Sequence, residues 1–238
     1  MITFALVHGA WHGAWCWGRL EPELEAFGAR VVAMDLPCDD VSAGFDRYAE
    51  VVIEAIEGVE DPVLVGHSLG AAAIPLVANR RPVRGLLFIS GVLPVREGED
   101  TSDQPSMEAP GAFQGLARDD EGRLVWPDDG VSAAWTMYGD CTDEDSAWAF
   151  ARLRPQSTTP HRTLGDPITW PAVPMASIVC ADDRAITPSW GRWAARERAA
   201  GAPVFEFASG HSPFLSRPKE LAGLLHHVAG VTLAVEDA

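Results

Sequence analysis

The sequence predicts an α/β fold in which helices flank a mostly parallel β-sheet. Short apolar runs rich in β-branched residues alternate with segments of helical periodicity, which is the pattern of βαβ units. Nearly every residue of these runs is apolar, as a sheet covered on both faces requires. The chain has 238 residues, of which 47% are hydrophobic and 22% charged. This length and balance are typical of a folded globular domain and exclude a disordered chain.

Six strands and five helices follow from this pattern, and every strand except the fourth is followed by a helix. The predicted strands are residues 2–7, 30–34, 62–65, 83–89, 175–180 and 203–207. The predicted helices are residues 13–27, 45–57, 69–79, 189–199 and 217–228. Residues 235–238 are predicted to form a frayed tail.

A long stretch between the fourth and fifth strands, residues 94–174, breaks the alternation. It begins with an acidic segment that contains Pro and Gly, residues 97–115, and then carries large side chains among polar residues. These are Trp126, Trp135, Met137, Tyr138, Trp148 and Phe150. Exposing them to water would forfeit about 1.5–3 kcal/mol each. We therefore predict a helical cap over one sheet edge, on a core of residues 1–93 and 175–238; alternatively, these aromatics only hold a decorative subdomain together.

The charge balance bears on possible partners. The chain has 18 Lys and Arg against 34 Asp and Glu, a formal net charge of −16, which repels nucleic acids and anionic membranes. No apolar run reaches the length of a membrane span, and no basic segment of a signal peptide precedes the apolar start. The expected location is the cytoplasm.

The four cysteines are widely spaced without a metal-binding pattern, so neither a metal nor a disulfide framework is expected.

The strongest chemical signal is the Gly-His-Ser-Leu-Gly sequence at residues 66–70. An apolar strand leads into it and an Ala-rich helix leads out, which is the setting in which a nucleophilic serine sits on a tight, strained turn. The flanking glycines avoid collisions when this turn closes. The amides at the start of the helix also favour negative charge. The alternative is that Ser68 only caps the helix.

A serine nucleophile needs a base, and the base needs an acid to orient it. His211 lies in a turn directly after the last predicted strand, at the end of the sheet where α/β sites form. Asp182 and Asp183 follow the preceding strand, and either could reach this histidine. The chain order of Ser, Asp and His is the one associated with this strand-turn-helix arrangement.

Acyl transfer also needs hydrogen-bond donors for the oxyanion. Gly9 lets the backbone turn after the first strand, so that the amide of Ala10 faces Ser68, and the amide of Leu69 is the second donor. His8 is expected to be a buried structural hydrogen-bonding residue. We expect the substrate pocket to be apolar and to involve Gly9, Trp11, His12, Trp126, Trp135 and Tyr138, although each cap aromatic could equally belong to the core.

These residues make the chain resemble the α/β-hydrolases, specifically the branch of plant-type methyl esterases and hydroxynitrile lyases and their bacterial esterase relatives. The resemblance covers nearly the whole chain. It is carried by residues 6–17 (LVHGAWHGAWCW), 35–37 (DLP), 66–70 (GHSLG), 138–141 (YGDC), 183–186 (DRAI) and 210–211 (GH). It implies the α/β-hydrolase fold, and it maps the catalytic acid to Asp183.

The resemblance also helps to choose the reaction. Lyases of this branch carry Thr after the first-strand histidine and Lys after the catalytic histidine, where this chain has Gly9 and Ser212. We therefore predict a serine carboxylesterase that acts on small to medium apolar esters through an acyl-enzyme, with no metal or organic cofactor. The alternatives are lyase, cyclase or amidase chemistry on the same triad, and a non-catalytic ligand receptor.

Overall fold

The computed structural model describes residues 1–231, and the tail predicted at 235–238 lies outside them. Its strands are β1 (Thr3–Val7), β2 (Arg30–Met34), β3 (Val63–His67), β4 (Gly85–Ile89), β5 (Ala117–Arg118), β6 (Leu124–Val125), β7 (Met175–Cys180) and β8 (Val204–Phe207). Six of them form one parallel sheet in the order β2-β1-β3-β4-β7-β8. The predicted α/β fold with a parallel sheet is confirmed.

The helices are α1 (Leu20–Ala26), α2 (Phe45–Ala55), α3 (Ile74–Ala78), α4 (Val131–Met137), α5 (Asp143–Phe150), α6 (Thr159–Thr163), α7 (Pro188–Glu197), α8 (Pro213–Ser216) and α9 (Pro218–Val231). Two predicted helices are each divided. A 3-10 helix at Ala14–Trp17 precedes α1, and another at Ser68–Ala72 precedes α3. Pro75 explains the second division, because proline has no N–H to donate and is favoured at the start of a helix.

The position of each strand in the sheet explains its sequence. The central strands β3 and β4 are buried at every residue, which agrees with sequences that are apolar except for His67 at the end of β3. The edge strands β2 and β8 are partly exposed. Because all six strands are parallel, they end at the same edge of the sheet, and the loops after β1, β3, β7 and β8 meet there.

The insertion between β4 and β7 is not purely helical as predicted. It holds α4, α5 and α6, but also the antiparallel pair of β5 and β6. The turn between these two strands is closed by Asp119, whose Oδ1 accepts hydrogen bonds from the backbone amides of Glu121 and Arg123. Gly122 in this turn has a φ of +76°, in the left-handed region that glycine tolerates best. The division into core and cap domains stays a prediction.

The acidic segment that opens the insertion lies along α7. Glu99 accepts a hydrogen bond from Arg198 over 2.7 Å, and both side chains are buried. Asp103 accepts one from the indole of Trp193 over 2.8 Å. The segment is therefore attached to the core by specific polar contacts, a role that its sequence does not reveal.

Three features bear on the possible surroundings of the chain. Among residues 1–231, no helix combines the length and apolar character needed to cross a membrane. The same residues contain no cluster of three or more His, Cys, Asp or Glu side chains arranged to hold a metal ion. All four cysteines are free thiols.

Candidate active site

Ser68 stands at a strained turn between β3 and the 3-10 helix that follows. Its φ of +49° lies in the left-handed region, which non-glycine residues rarely adopt. Such strain persists only where surrounding structure enforces it, and it clusters at functional sites. The strand-turn-helix predicted from the sequence is present, and it holds Ser68 at the carboxyl edge of the sheet.

Steric contacts explain the two glycines that flank this turn. A Cβ atom at Gly66 would lie 2.6 Å from the Cα atom of Ala71. A Cβ atom at Gly70 would lie 2.1 Å from the carbonyl oxygen of His8. Both distances are far below van der Waals contact. The glycines therefore allow the turn to close and bring the end of β1 against it.

His211 and Asp183 form a buried pair. The Nδ1 atom of His211 lies 2.8 Å from Oδ2 and 3.0 Å from Oδ1 of Asp183. The same Oδ1 accepts the backbone amides of Ala185 and Ile186 over 2.8 and 2.9 Å, which fixes the carboxylate. Asp182 is exposed. Of the two candidate acids, the structure therefore joins Asp183 to the histidine.

His67 links this pair to the serine turn. Its Nε2 atom donates a hydrogen bond to the carbonyl oxygen of His211 over 2.9 Å, and the two rings lie 4.7 Å apart. Burial is the main cause that lowers the pKa of His67 well below its usual value, so the ring is neutral. His211 is thus held beside the residue that directly precedes Ser68.

The second nitrogen of His211 is free. Its Nε2 atom is buried and has no hydrogen-bond partner within the part of the chain that the structure describes, Ser68 included. Catalytic hydrogen bonds often tighten only when a substrate is bound. Nε2 is therefore the atom on which the pair can accept a proton, since Nδ1 faces the carboxylate.

The loop after β1 places a peptide group beside Ser68. A Cβ atom at Gly9 would lie 2.9 Å from the Cβ atom of Ser68. The Nδ1 atom of His8 donates to the carbonyl oxygen of Gly9 over 2.8 Å, and its Nε2 accepts the amide of Leu36 over 2.9 Å. Burial lowers the pKa of His8 to about 4, so the ring is neutral and suits this donor and acceptor pair.

The backbone amides of Ala10 and Leu69 are available to donate hydrogen bonds. In a trans peptide the N–H points away from the C=O, so fixing the carbonyl of Gly9 turns the amide of Ala10 to the opposite side. Within residues 1–231, this amide has no backbone or side-chain acceptor. Leu69 lies in the first turn of its helix, where amides lack intrahelical partners. Both features fit the predicted oxyanion donors, whose role stays a prediction.

His12 and Tyr138, which were both expected at the pocket, are hydrogen-bonded to each other. Both are almost completely buried. The Nδ1 atom of His12 donates to the carbonyl oxygen of Ala10 over 2.7 Å, and its Nε2 accepts the hydroxyl of Tyr138 over 2.9 Å. Burial lowers the pKa of His12 to about 3, consistent with a neutral ring. These bonds engage the polar side-chain atoms of both residues, and the place of both residues at the pocket stays a prediction.

The three tryptophans predicted at the pocket occupy different environments. The ring of Trp11 lies 5.2 Å from that of Trp126 and 5.9 Å from that of Phe113, forming a buried aromatic cluster. Trp135 is 41% exposed and stacks under the guanidinium of Arg184. It also lines a surface hollow of about 400 Å³ together with Pro110, Gly111, Gln114, Val131, Ser132 and Thr136. Trp11 and Trp126 thus adjoin the loop after β1, whereas Trp135 faces this hollow.

Two residues of the insertion that contact this loop carry no signal in the sequence. The guanidinium of Arg154 donates to the carbonyl oxygens of His12 and Leu36 over 2.9 and 2.8 Å. Gln156 accepts the amide of Trp11, a residue 145 positions away in the chain. No local pattern reveals such contacts, because they depend on how the insertion packs on the core.

Comparisons with known proteins agree with this architecture. A model of the alpha/beta hydrolase family matches residues 4–224, and the chain therefore belongs to that family. Methylesterase 2 from Arabidopsis thaliana is 26% identical over an alignment of 258 positions, which covers 95% of each chain. Norfluorocurarine synthase 1 from Strychnos sp is 26% identical over an alignment of 257 positions, which also covers 95% of each chain. The pyrethroid hydrolase from Sphingobium faniae JZ-2 is 27% identical with a TM-score of 0.82, covering 97% of this chain and 98% of that one.

Proposed function

We propose that the protein is a serine carboxylesterase that hydrolyses small to medium apolar esters through an acyl-enzyme. The observation that carries this proposal is the placement of Ser68 on a strained turn next to a buried His211–Asp183 pair whose Nε2 atom is free. The similarity to proteins named as a methylesterase and a pyrethroid hydrolase supports ester hydrolysis as the reaction.

In the first half of the reaction, the Oγ atom of Ser68 attacks the ester carbonyl carbon while Nε2 of His211 takes the hydroxyl proton. The negative charge that develops on the carbonyl oxygen is held by the amides of Ala10 and Leu69. The C–O bond to the alcohol then breaks, and the alcohol leaves with the proton from Nε2. Asp183 orients the ring and stabilises its charged form throughout.

In the second half, water attacks the acyl carbon of the ester formed with Ser68. His211 takes a proton from this water, and the same two amides hold the second oxyanion. The bond to the serine oxygen then breaks, and Oγ recovers its proton from the imidazolium. The products are a carboxylic acid and an alcohol, and neither step draws on a cofactor.

The aromatic cluster supports an apolar substrate. Trp11 directly follows the proposed donor Ala10, and its ring packs with those of Phe113 and Trp126. A wall of this kind favours hydrocarbon groups, because burying their surface is worth about 25 cal/mol per Å². It offers few polar groups to a charged substrate.

A series of 4-nitrophenyl esters, from acetate to decanoate, tests the proposal on wild type, Ser68→Ala and Ser90→Ala. Ser90 is the matched control because it too is buried, has a positive φ of 44° and follows the neighbouring strand β4. We expect Ser68→Ala to lower kcat by roughly 10⁴ or more, and Ser90→Ala to keep most of the activity. Equal activity of Ser68→Ala and wild type would contradict the proposal.

The experiment also separates ester hydrolysis from other reactions, since one relative is named as a synthase. Rapid quenching followed by intact mass measurement should detect the acyl group on wild type. Turnover of a substrate without any acylated protein would favour lyase or cyclase chemistry on the same groups. Tight binding of an ester with no turnover would favour a ligand receptor.

A further inference from the structure

The backbone at Trp11 is strained, and residues of the insertion hold it there. Trp11 has a φ of +62°, which is unusual for a residue with a side chain. Its amide donates to Oε1 of Gln156 over 3.3 Å, and its carbonyl oxygen accepts the amide of Arg154 over 2.8 Å. Its indole N–H donates to the carbonyl oxygen of Leu124 over 3.0 Å. Every polar group of Trp11 is therefore bound by the insertion.

The side chain of Gln156 is itself fixed. It is completely buried, and its Nε2 atom donates to the hydroxyl of Tyr48 over 3.2 Å and to the carbonyl oxygen of Ser157 over 2.9 Å. Its own amide and carbonyl pair with Leu124 over 2.9 and 2.7 Å. The shorter bond to Ser157 and the two backbone bonds to Leu124 orient this amide group, so that its oxygen faces the amide of Trp11.

The peptide group between Ala10 and Trp11 is consequently held at both ends. Gln156 binds its N–H, and the neutral ring of His12 donates to its carbonyl oxygen over 2.7 Å. The preceding peptide group is held by His8 at the carbonyl of Gly9. The amide of Ala10, the proposed oxyanion donor, belongs to this preceding peptide group, which His8 holds at its carbonyl and which is joined at Ala10 to the peptide group that Gln156 and His12 hold.

We propose that Gln156 is a positioning residue for the oxyanion site: it keeps Trp11 in its strained conformation and thereby aims the amide of Ala10 at the reacting carbonyl oxygen. This inference rests on the proposed function, because it concerns a donor for that reaction. Losing a single oxyanion donor typically costs 10²–10³ in kcat, so a misaligned donor should cost somewhat less.

The test compares three variants with wild type. Gln156→Met keeps the side-chain length but removes both hydrogen-bonding groups, and Gln156→Glu restores an oxygen facing the amide of Trp11. Tyr48→Phe is the matched control, since it removes a partner of the Nε2 atom and leaves the bond to Trp11 intact. Kinetics on 4-nitrophenyl butyrate are expressed per active site, counted by covalent titration with diethyl 4-nitrophenyl phosphate, so that misfolded protein does not contribute.

We expect Gln156→Met to lower kcat by about 10- to 100-fold with KM changed less than about threefold. The reason is that the hydrogen bond from the Ala10 amide to the oxyanion forms only in the transition state. Gln156→Glu should lose less activity than Gln156→Met, because it keeps an oxygen for the amide of Trp11 although it lacks the donor to Ser157. Tyr48→Phe should stay close to wild type. A kcat per active site in Gln156→Met equal to that of wild type would overturn the proposal.

An inhibitor pair distinguishes positioning from a merely structural role. A trifluoromethyl ketone accepts Oγ of Ser68 at its carbonyl carbon, the hydroxyl proton passes to His211, and the oxyanion remains in the site. The matching methyl ketone binds without this addition. In Gln156→Met, Ki for the trifluoromethyl ketone should rise in parallel with the loss of kcat, whereas Ki for the methyl ketone should change less than about threefold. An equal rise for both ketones would contradict the proposal.

A further measurement does not depend on turnover. Hydrogen exchange at the backbone amide of Trp11 should accelerate in Gln156→Met and not in Tyr48→Phe, because the bond to Oε1 protects it. Unchanged exchange in Gln156→Met overturns the role of Gln156 whether or not the chain hydrolyses esters. Failure of wild type to hydrolyse esters or to react with the phosphate ester, with exchange accelerated as expected, would instead refute the proposed function alone.

Discussion

His211 turns Nδ1 toward Asp183, 2.8 Å from Oδ2, and leaves Nε2 without a partner among the described residues. The carboxylate is held from behind by the amides of Ala185 and Ile186. This arrangement fixes the tautomer of a neutral ring, with the proton on Nδ1 and the lone pair on Nε2. This is the tautomer that the proposed role of His211 as a general base requires.

Asp183→Asn should lower kcat by about 10³ to 10⁴. The asparagine oxygen would keep the two backbone amides, and its NH₂ group would then face Nδ1, which forces the proton onto Nε2 and removes the base. Asp182→Asn is the control, because Asp182 is exposed. Steady-state kinetics on a 4-nitrophenyl ester measures both, and equal activities of the two variants would rule out the proposed role of Asp183.

Gly70→Ala should destabilise the protein by about 1–3 kcal/mol or more and reduce activity, since its Cβ atom would lie 2.1 Å from the carbonyl oxygen of His8. Gly165→Ala is a suitable control, because its Cβ atom has no neighbour within 4 Å. We expect the control to change stability by less than about 0.5 kcal/mol. Chemical denaturation tests this, and a Gly70→Ala variant as stable as the control would be inconsistent with the close approach of β1.

Acid should destabilise the fold below about pH 6.5. Burial lowers the pKa of His8 to about 4 and of His12 to about 3, and it also lowers that of His67. Below the ordinary pKa the unfolded chain binds protons that the native chain does not, so stability rises with pH in this window and falls as pH drops toward 4. Each histidine contributes about 1.4 kcal/mol per pH unit there.

The pH dependence of the free energy of unfolding measures this proton uptake. Between pH 5 and 6, it should correspond to about three protons from these histidines. His12→Gln should reduce the uptake by about one proton, whereas His227→Gln, on the exposed face of α9, should leave it unchanged. An uptake below one proton in wild type would contradict the buried, neutral state of these rings.

Glu99→Gln should cost about 3–5 kcal/mol of stability, because it leaves the buried guanidinium of Arg198 without its countercharge. Glu206→Gln is the control, since its pair with Arg192 is about half exposed and worth roughly 0–1 kcal/mol. Urea denaturation of both variants provides the comparison. Equal losses would show that the Glu99 pair does not anchor the acidic segment.

The sheet and its carboxyl edge were predictable because they depend on local patterns. Apolar runs located β2 and β7 to the residue, and the Gly-x-Ser-x-Gly spacing located the strained turn at Ser68. The last strand placed His211 at the same edge, since parallel strands all end on one side. The choice of Asp183 over Asp182 came from the family resemblance, and the hydrogen bond to His211 agrees with it.

The insertion was harder to predict because its contacts are long-range. The buried pair of Glu99 and Arg198 and the bond from Trp11 to Gln156 each join residues about 100 or more positions apart. His12 was expected at the pocket from its position in the loop, and that role stays a prediction. No local sequence pattern shows that the hydroxyl of Tyr138 would bind the Nε2 atom of His12.

The most direct test of the central claim is covalent labelling with diethyl 4-nitrophenyl phosphate. Attack by Oγ of Ser68 on phosphorus should expel one equivalent of 4-nitrophenolate and leave a single diethylphosphoryl group, which peptide mass spectrometry locates. We predict that the group maps to Ser68 in wild type and is absent from Ser68→Ala. A label on another residue, or an unlabelled chain that still hydrolyses esters, would contradict the assignment of Ser68 as the nucleophile.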